Sequence, residues 1–481
     1  MYEAAFKNID DTLWKDDGVD NPLHYIEQTS WVLFLKYLED YETENEAAAT
    51  LNGKTYTRLI DGAYRWSAWA VPKNAEGKLD HRVALTGDDL RDFVNKNLFP
   101  HLASFKQTAD SPNNIQYKIG DIFSQLSNRM VNGYTMRAVV DKVDELKFLS
   151  NADKHELSSL YEEKIKEMGN AGRSGGQYYT PRPLIKSIVK LIDPKVGETV
   201  YDGAVGSAGF LCEAYAHMRQ SKELSASDYE ILQTRTFLGK ESKSLAYVIG
   251  TMNMILHGIE SPNILRKNTL EENLADIQEK DRVDIVLANP PFGSGERTEV
   301  QQNFPIKSGE SAYLFLQHFI KMLKTGGRCG IIIKSTFLTN DDASELRKEL
   351  LSECNILGIL DLPKVFGTTG VKTVVLFFEK GRPTEKIWYY QLKLDRNVGK
   401  TNPLNEADLA EFVAMAPRKT LCENSWCVDV GEINPETWDL TVNNPNRVEE
   451  VKYRNPEEII ATIEVLDAQA AKALQTIKEL L

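Results

Sequence analysis

The sequence predicts an α/β protein built on a doubly wound, mostly parallel sheet of the nucleotide-binding kind, with a helical domain before it and a long helix after it. Three observations carry this. A strand, a glycine-punctuated turn and a helix follow one another over residues 199–211. A second strand, residues 236–241, ends on a carboxylate. A short apolar run, residues 284–288, is stopped at once by Asn289-Pro290-Pro291-Phe292.

At 481 residues the chain has room for several domains and an ample core. Its net charge of −13 argues against a broad basic face that would cover DNA unaided, while leaving room for a local basic groove. The cysteines, Cys212, Cys329, Cys354, Cys422 and Cys427, are odd in number and lack CxxC spacing. That pattern reads as reduced cytoplasmic thiols, with neither a disulfide framework nor a zinc site. The opening MYEAAFKNIDDTLW puts acidic residues in the first turns, unlike a signal peptide, and no apolar run reaches membrane-spanning length.

Residues 1–150 read as a helical N-terminal domain. Asp20-Asn21-Pro22 is a helix start, a cap residue followed by a proline. Ile26, Trp31, Leu33, Phe34, Leu35 and Leu38 then suffice to bury most of that helix, and residues 90–97 and 130–148 also repeat at helical spacing. Trp66 and Trp69 could stack on nucleic acid, but two tryptophans three apart on a helix are more often core.

Residues 151–440 read as the catalytic domain. A helix over 154–168, apolar at Leu157, Leu160, Tyr161, Ile165 and Met168, gives way to a glycine-rich loop and then to Gln177-Tyr178-Tyr179-Thr180-Pro181-Arg182-Pro183. Thr180 is placed to cap the next helix, residues 184–191, with Pro181 at its first position. This is either a linker with a capped helix or a ligand clamp, a helix N-terminus flanked by aromatics. In the turn Asp202-Gly203-Ala204-Val205-Gly206-Ser207-Ala208-Gly209, Gly206 and Gly209 permit a tight bend and close backbone approach. Glu241 closes the second strand where ribose hydroxyls are bound in such folds, although a lone glutamate is more often a solvated carboxylate. A third unit ends in ILRKNTL, residues 264–270.

The fourth strand sets Asn289 at a carboxyl end, where open α/β sheets place ligands. Neither following proline has an N–H with which to continue the ladder. The tetrapeptide suits an exocyclic amino group, whose lone pair is delocalised into its ring. The carboxamide oxygen of Asn289 and the backbone carbonyl of Pro290 would accept its two N–H bonds and turn the lone pair toward an electrophile, while Phe292 would stack on the ring. A bare NPPF is more often an ordinary proline-rich turn. The weight comes from the order: glycine loop, acidic strand end, polar strand end, NPPF.

GQYYTPRPLI, GAVGSAGFL, Glu241 and LANPPFG resemble the corresponding segments of the modification subunits of type I restriction–modification systems, which are N6-adenine DNA methyltransferases with the class I, Rossmann-like fold. The resemblance spans nearly the whole chain, including Asp361-Leu362-Pro363 to Phe366 and residues 373–378. It implies S-adenosylmethionine as cofactor, with Gln177, Tyr178, Tyr179, Thr180, Pro181 and Arg182 over its methionine and adenosine parts. Asp202, Gly206, Ser207, Ala208 and Gly209 would form the glycine loop, Glu241 would take the ribose and Asn268 an adenine edge. Asn289, Pro290, Pro291 and Phe292 would be the catalytic residues, holding an adenine flipped out of double-stranded DNA. The implied partners are a specificity subunit, with two modification chains per specificity chain, and a restriction subunit. This sequence departs from the family pattern at Gly203, where proline is usual, at Val205, where cysteine or alanine is frequent, at Ala208, where glycine is frequent, and at Asn268, where aspartate is common. Alanine or valine fits such a loop where φ stays negative.

Two other readings stand beside this one. NPP[FY] also occurs in methyltransferases acting on glutamine side chains of release factors, against which the helical N-terminus and GQYYTPR count. A non-catalytic assembly component is the other, on account of the altered glycine loop. In-line methyl displacement needs alignment more than a strong base, and no metal-ligand cluster is visible in the sequence.

Past the tetrapeptide, residues 294–303 read as a mobile loop near the site. His318, in an apolar helix over 312–323, reads as core rather than catalytic, and residues 330–333 and 374–378 as further strands, the second near an edge. Residues 441–481 form a tail and helix. From Pro456, Ile459, Ile463, Leu466, Ala470, Ala473, Ile477 and Leu480 alternate at the four-and-three spacing of a heptad. That stripe must dock, either on the N-terminal domain or, as the resemblance suggests, on the coiled coils of a specificity subunit. With no obvious target-recognition domain, base choice is expected to lie in that separate subunit.

Overall fold

The computed structural model describes residues 2–112, 114–146, 151–169, 179–220, 223–293, 295–366, 371–399, 401–446 and 456–480. Among the described residues, nine strands form one sheet: β1 (Val200–Asp202), β2 (Phe237–Glu241), β3 (Asn263–Arg266), β4 (Val283–Ala288), β5 (Leu323–Lys334), β6 (Cys354–Asp361), β7 (Thr373–Lys380), β8 (Lys386–Gln391) and β9 (Ser425–Asp429). Their order is β3-β2-β1-β4-β5-β7-β6-β8-β9. The first five strands are parallel, β7 runs antiparallel to both of its neighbours, and β9 closes the far edge antiparallel to β8. From β1 the chain winds outward to β2 and β3, and from β4 outward the other way. The crevice between the carboxyl ends of β1 and β4 is therefore the topological switch point where ligands bind. Asp202 ends β1 and Asn289 follows β4 directly.

The edge position expected for residues 374–378 is wrong. β7 lies in the middle of the sheet, between β5 and β6, with Val374, Val375, Leu376 and Phe378 fully buried. Its unbroken apolar run is the mark of a strand covered on both faces, whereas an edge strand alternates. Alternation appears instead in β9, where Cys427 is exposed between buried Trp426 and Val428.

Residues 295–303 are not a bare loop. They include a short helix, Thr298–Gln301, and bury Val300. Asn303 exchanges two hydrogen bonds with the turn below: its carbonyl accepts from Leu274 N (3.1 Å) and its Nδ2 donates to Leu270 O (3.1 Å). The end of the segment is thus anchored to protein, while Arg297, Thr298, Glu299 and Gln302 stay exposed.

Ahead of the sheet, Pro22–Leu51 forms a long helix whose N-cap, Asn21, accepts from Leu23 N and His24 N. Trp66 and Trp69 are core, packed edge to face at 5.3 Å with Trp66 Nε1 donating to Asp144 (2.8 Å). The helical region is tied to the sheet domain through Ser30 Oγ and Tyr161 OH (2.8 Å) and through Tyr37 OH donating to Ile255 O (3.4 Å).

Met1–Val442 forms one unit and Asn443–Leu481 a second. The second contains the helix Pro456–Leu480, on which Ile463, Leu466 and Ile477 are 52%, 57% and 54% exposed. Among the described residues, no helix is long and apolar enough to cross a membrane.

Candidate active site

A cleft lies at the switch point, walled by the glycine loop, the start of the helix Arg182–Ile192, and Asn289. Of the residues singled out by sequence, it brings together Thr180, Arg182, Asp202, Gly206, Ser207, Gly209 and Asn289. Gln177 and Tyr178 lie outside the described residues.

Asn289 is held by one bond and leaves one atom idle. Its Nδ2 donates to Thr180 Oγ1 at 2.9 Å. Its Oδ1 is buried and, among the described residues, has no hydrogen-bond partner. A buried acceptor left unmatched costs about 1–3 kcal/mol, so it marks a place where a donor is expected to arrive. Pro290 is buried and Pro291 half-buried behind it, with Pro291 O accepting from Ser311 Oγ (3.3 Å). Gly293 N donates to Glu310 (3.2 Å), and Lys334 at the end of β5 pairs with the same carboxylate (2.5 Å). The tetrapeptide is thus pinned on both sides. Phe292 is half-buried, and the edge of one ring meets the face of the other between it and Phe366, centroids 5.9 Å apart.

Thr180 does not cap the helix. Pro181 occupies the N-cap, the helix begins at Arg182, and the Thr180 hydroxyl is engaged by Asn289 instead. Tyr179, half-buried, lies with its ring 5.3 Å from the Arg182 guanidinium. That guanidinium pairs with Glu162 and donates to Ser207 Oγ (3.1 Å). Glu162 in turn accepts from Asn253 Nδ2 (2.7 Å), which also reaches Ser207 O (2.9 Å). Arg182 therefore holds the loop in place, and a Cβ at Gly209 would collide with it. Glu162 and Asn253 carry no motif. They lie on the helices Asn151–Gly169 and Ser244–Leu256, and nothing in their spacing to the glycine loop announces them. Glu162, Cys212 and His257 come close enough to share an ion, but Glu162 is already paired with Arg182, and burial pushes the Cys212 thiol well above its ordinary range. This set does not suit a metal.

The loop itself corrects one expectation. Ala208 sits at φ 62°, in the left-handed region, beside Gly206 at φ 53°. The bend needs two residues there, and only one is glycine. A left-handed alanine costs about 1–2 kcal/mol, while glycine loses about 0.4–1 kcal/mol more on ordering. Ala208→Gly should therefore stabilise the chain by about 0.5–1 kcal/mol, read as a raised denaturation midpoint. An unchanged or lowered midpoint would show that the loop is not strained.

Two buried carboxylates underlie the loop. Glu241 accepts from Gly206 N (2.9 Å), from Lys243 N (2.8 Å) and from the backbone of Ser242. Burial still raises its affinity for a proton. Asp202 accepts from Ala204 N (2.9 Å). Burial, with the nearby Glu241 charge adding to it, pushes Asp202 up to about 8. An unfolded aspartate titrates near 3.9, so the folded state holds the extra proton between about pH 4 and 8. The stability this proton contributes is complete below about pH 4 and is lost as pH rises through about 8. Asp202→Asn, which stays neutral, should melt at a progressively higher temperature than the parent from pH 5 to pH 8. A melting difference that does not vary with pH would refute a protonated Asp202. Asn268 turns to its own backbone, accepting from Leu270 N (3.1 Å), while Thr269 Oγ1 donates to Gly203 O (2.6 Å).

The fold class is that of the class I methyltransferases, and a methyltransferase subunit from Streptococcus thermophilus superimposes with a TM-score of 0.65 at 21% identity, covering 93% of this chain and 98% of that one. The N-6 DNA Methylase family matches residues 152–454, and the HsdM N-terminal domain matches residues 3–168. The EcoEI type I restriction enzyme methylase subunit of Escherichia coli is 33% identical over 99% of this chain and 97% of its own length. A modification subunit from Vibrio vulnificus YJ016 has a TM-score of 0.82 at 33% identity, covering 94% of this chain and 98% of that one. The chain belongs to the N-6 DNA Methylase family, as a modification subunit of the type I restriction–modification kind, and is an adenine-specific DNA methyltransferase.

Proposed function

We propose that this chain transfers the methyl group of S-adenosylmethionine to N6 of an adenine flipped out of double-stranded DNA, in a cytoplasmic complex whose specificity subunit chooses the sequence. The observation that carries this reading is the idle, buried Oδ1 of Asn289 at the carboxyl end of β4. An amine donor from a base satisfies it, and the Pro290 carbonyl is the second acceptor. With both N–H bonds taken, the amine's lone pair leaves the ring plane and becomes available as a nucleophile. Phe292, half-buried against Phe366, offers aromatic surface to the extruded base, which repays part of the lost stacking.

The cleft fits the cofactor chemically. Asp202 and Glu241 supply buried carboxyl oxygens that can accept from ribose hydroxyls, and the Gly206–Gly209 bend lets backbone approach closely. Gln177, Tyr178, Tyr179, Thr180, Pro181 and Arg182 would cover its methionine and adenosine, Ser207 and Ala208 would complete the loop, and Asn268 would meet an adenine edge. When bound, S-adenosylmethionine supplies an electrophilic methyl group. The protein supplies alignment, from which much of the acceleration of such a displacement arises.

The exposed stripe Ile463, Leu466 and Ile477 is the docking face for a helix of the specificity subunit, two modification chains per specificity chain, with a restriction subunit joining the complex. The net charge of −13 supports leaving DNA sequence choice to that partner. Also in support, a chain 35% identical over all of this one was solved in work on complex assembly and conformational transition of the type I system, with a TM-score of 0.79 and 98% of that chain covered.

The test is single-molecule sequencing of DNA from cells carrying this chain with and without a cognate specificity subunit. N6-methyladenine at a split, two-part motif is expected only when both are present. Methylation by this chain alone, or none with both, would overturn the assignment.

A further inference from the structure

Resting on the reading of Asn289 as the amine acceptor, we infer that Thr180 is a positioning residue for methyl transfer, setting the orientation of the Asn289 carboxamide from across the cleft. A primary carboxamide has two nearly isosteric orientations that exchange its C=O and its NH₂. Only one serves an amine: the flipped form would present N–H donors to an N–H donor. Asn289 is rooted on the sheet at the end of β4, and Thr180 precedes the helix Arg182–Ile192. Their side chains meet at 2.9 Å, with Thr180 8% exposed. This contact joins the segment over the cofactor cleft to the group that receives the base.

The hydroxyl can donate or accept, so it does not enforce the orientation by itself. The bookkeeping of the rest of the amide decides. With Nδ2 toward Thr180, the oxygen and one N–H are left without a partner among the described residues. With Oδ1 toward Thr180, both N–H groups would face the cleft, and orphaned buried donors are rarer than orphaned acceptors. The hydroxyl thus anchors the carboxamide plane, and the idle oxygen is left for the substrate. Thr180 itself is held by its burial and by its carbonyl, which accepts from Arg182 Nη1 (3.5 Å).

The test compares Thr180→Val, which keeps shape and removes the hydroxyl, with Thr180→Ser, which keeps the hydroxyl, each in the full-length protein assembled with its specificity subunit. The expected result for Thr180→Val is a single-turnover methylation rate lower by about 10- to 100-fold, with S-adenosylmethionine affinity within about threefold of the parent. Thr180→Ser should restore the rate. If Thr180→Val folds poorly, Thr180→Ala removes the same hydroxyl without added bulk and is read in the same way. Loss of cofactor affinity at an unchanged rate would make Thr180 part of the cofactor clamp only, and an unchanged rate and affinity would remove its role; either overturns the inference. Asn289→Ala separates the two levels: if that variant remains active, the reading of Asn289 fails, whereas an inactive Asn289→Ala beside a fully active Thr180→Val defeats only the role of Thr180.

Discussion

Asn289→Ala in the assembled complex should lower methyl transfer by about 10²–10³-fold or more while S-adenosylmethionine binds nearly as well as to the parent. The reason is where the charge develops. As the amine attacks, it becomes cationic, and the acceptors on its two N–H bonds strengthen in the transition state. They contribute much less when only cofactor is bound. Deleting the carboxamide removes one of those acceptors and frees Thr180, yet leaves Asp202, Glu241 and the Gly206 bend untouched. The measurement is single-turnover transfer to a duplex carrying the recognised site, alongside calorimetric titration with S-adenosylmethionine. Loss of both rate and binding together would mean that Asn289 helps to hold the cofactor and that its idle Oδ1 is not the amine's acceptor.

The parts of this site that are legible in sequence are those in which neighbouring residues do one job. The prolines that end β4 stand beside Asn289, and the glycine that bends the β1 turn stands within it, so a short string announces each. What sequence does not show is what joins distant positions through common residue types. The Arg182–Glu162–Asn253–Ser207 network links two helices to the loop. None of its members is unusual, and no periodicity brings them together. Thr180 is misread for a related reason. Threonine before proline reads locally as a helix cap, and only the tertiary fold supplies Asn289 as a better partner. The left-handed φ of Ala208 is hidden because alanine gives no hint of it; the bend around it dictates the conformation, and the side chain bears the strain. The place of β7 is available in principle, since its unbroken apolar run belongs to an interior strand.

The hidden network leads to the second large expectation, which is the converse of the first. Glu162→Ala should destabilise the protein by about 3 kcal/mol, the lower end of the cost of stripping one partner from a buried ion pair, because both side chains keep some contact with solvent (16% and 19% exposed). Arg182 would be left with its charge uncompensated beside Ser207, and Asn253 would lose one of its two acceptors. The glycine loop is tethered through Ser207 at both its hydroxyl and its carbonyl, so S-adenosylmethionine affinity should fall about tenfold or more. Once cofactor is saturating, the transfer rate should recover to within a few-fold, since Asn289 and its tetrapeptide are pinned by other groups, Glu310 and Lys334 among them. Glu162→Gln, which can still accept from Asn253 but carries no charge for Arg182, should fall between. Thermal melts, calorimetric titration and saturating-cofactor rates measured on the same samples check this. A Glu162→Ala variant with parental melting and parental affinity would show that the loop holds its shape without the network. A rate that stays low at saturating cofactor would mean that the helix Asn151–Gly169 positions the reacting groups as well as the loop.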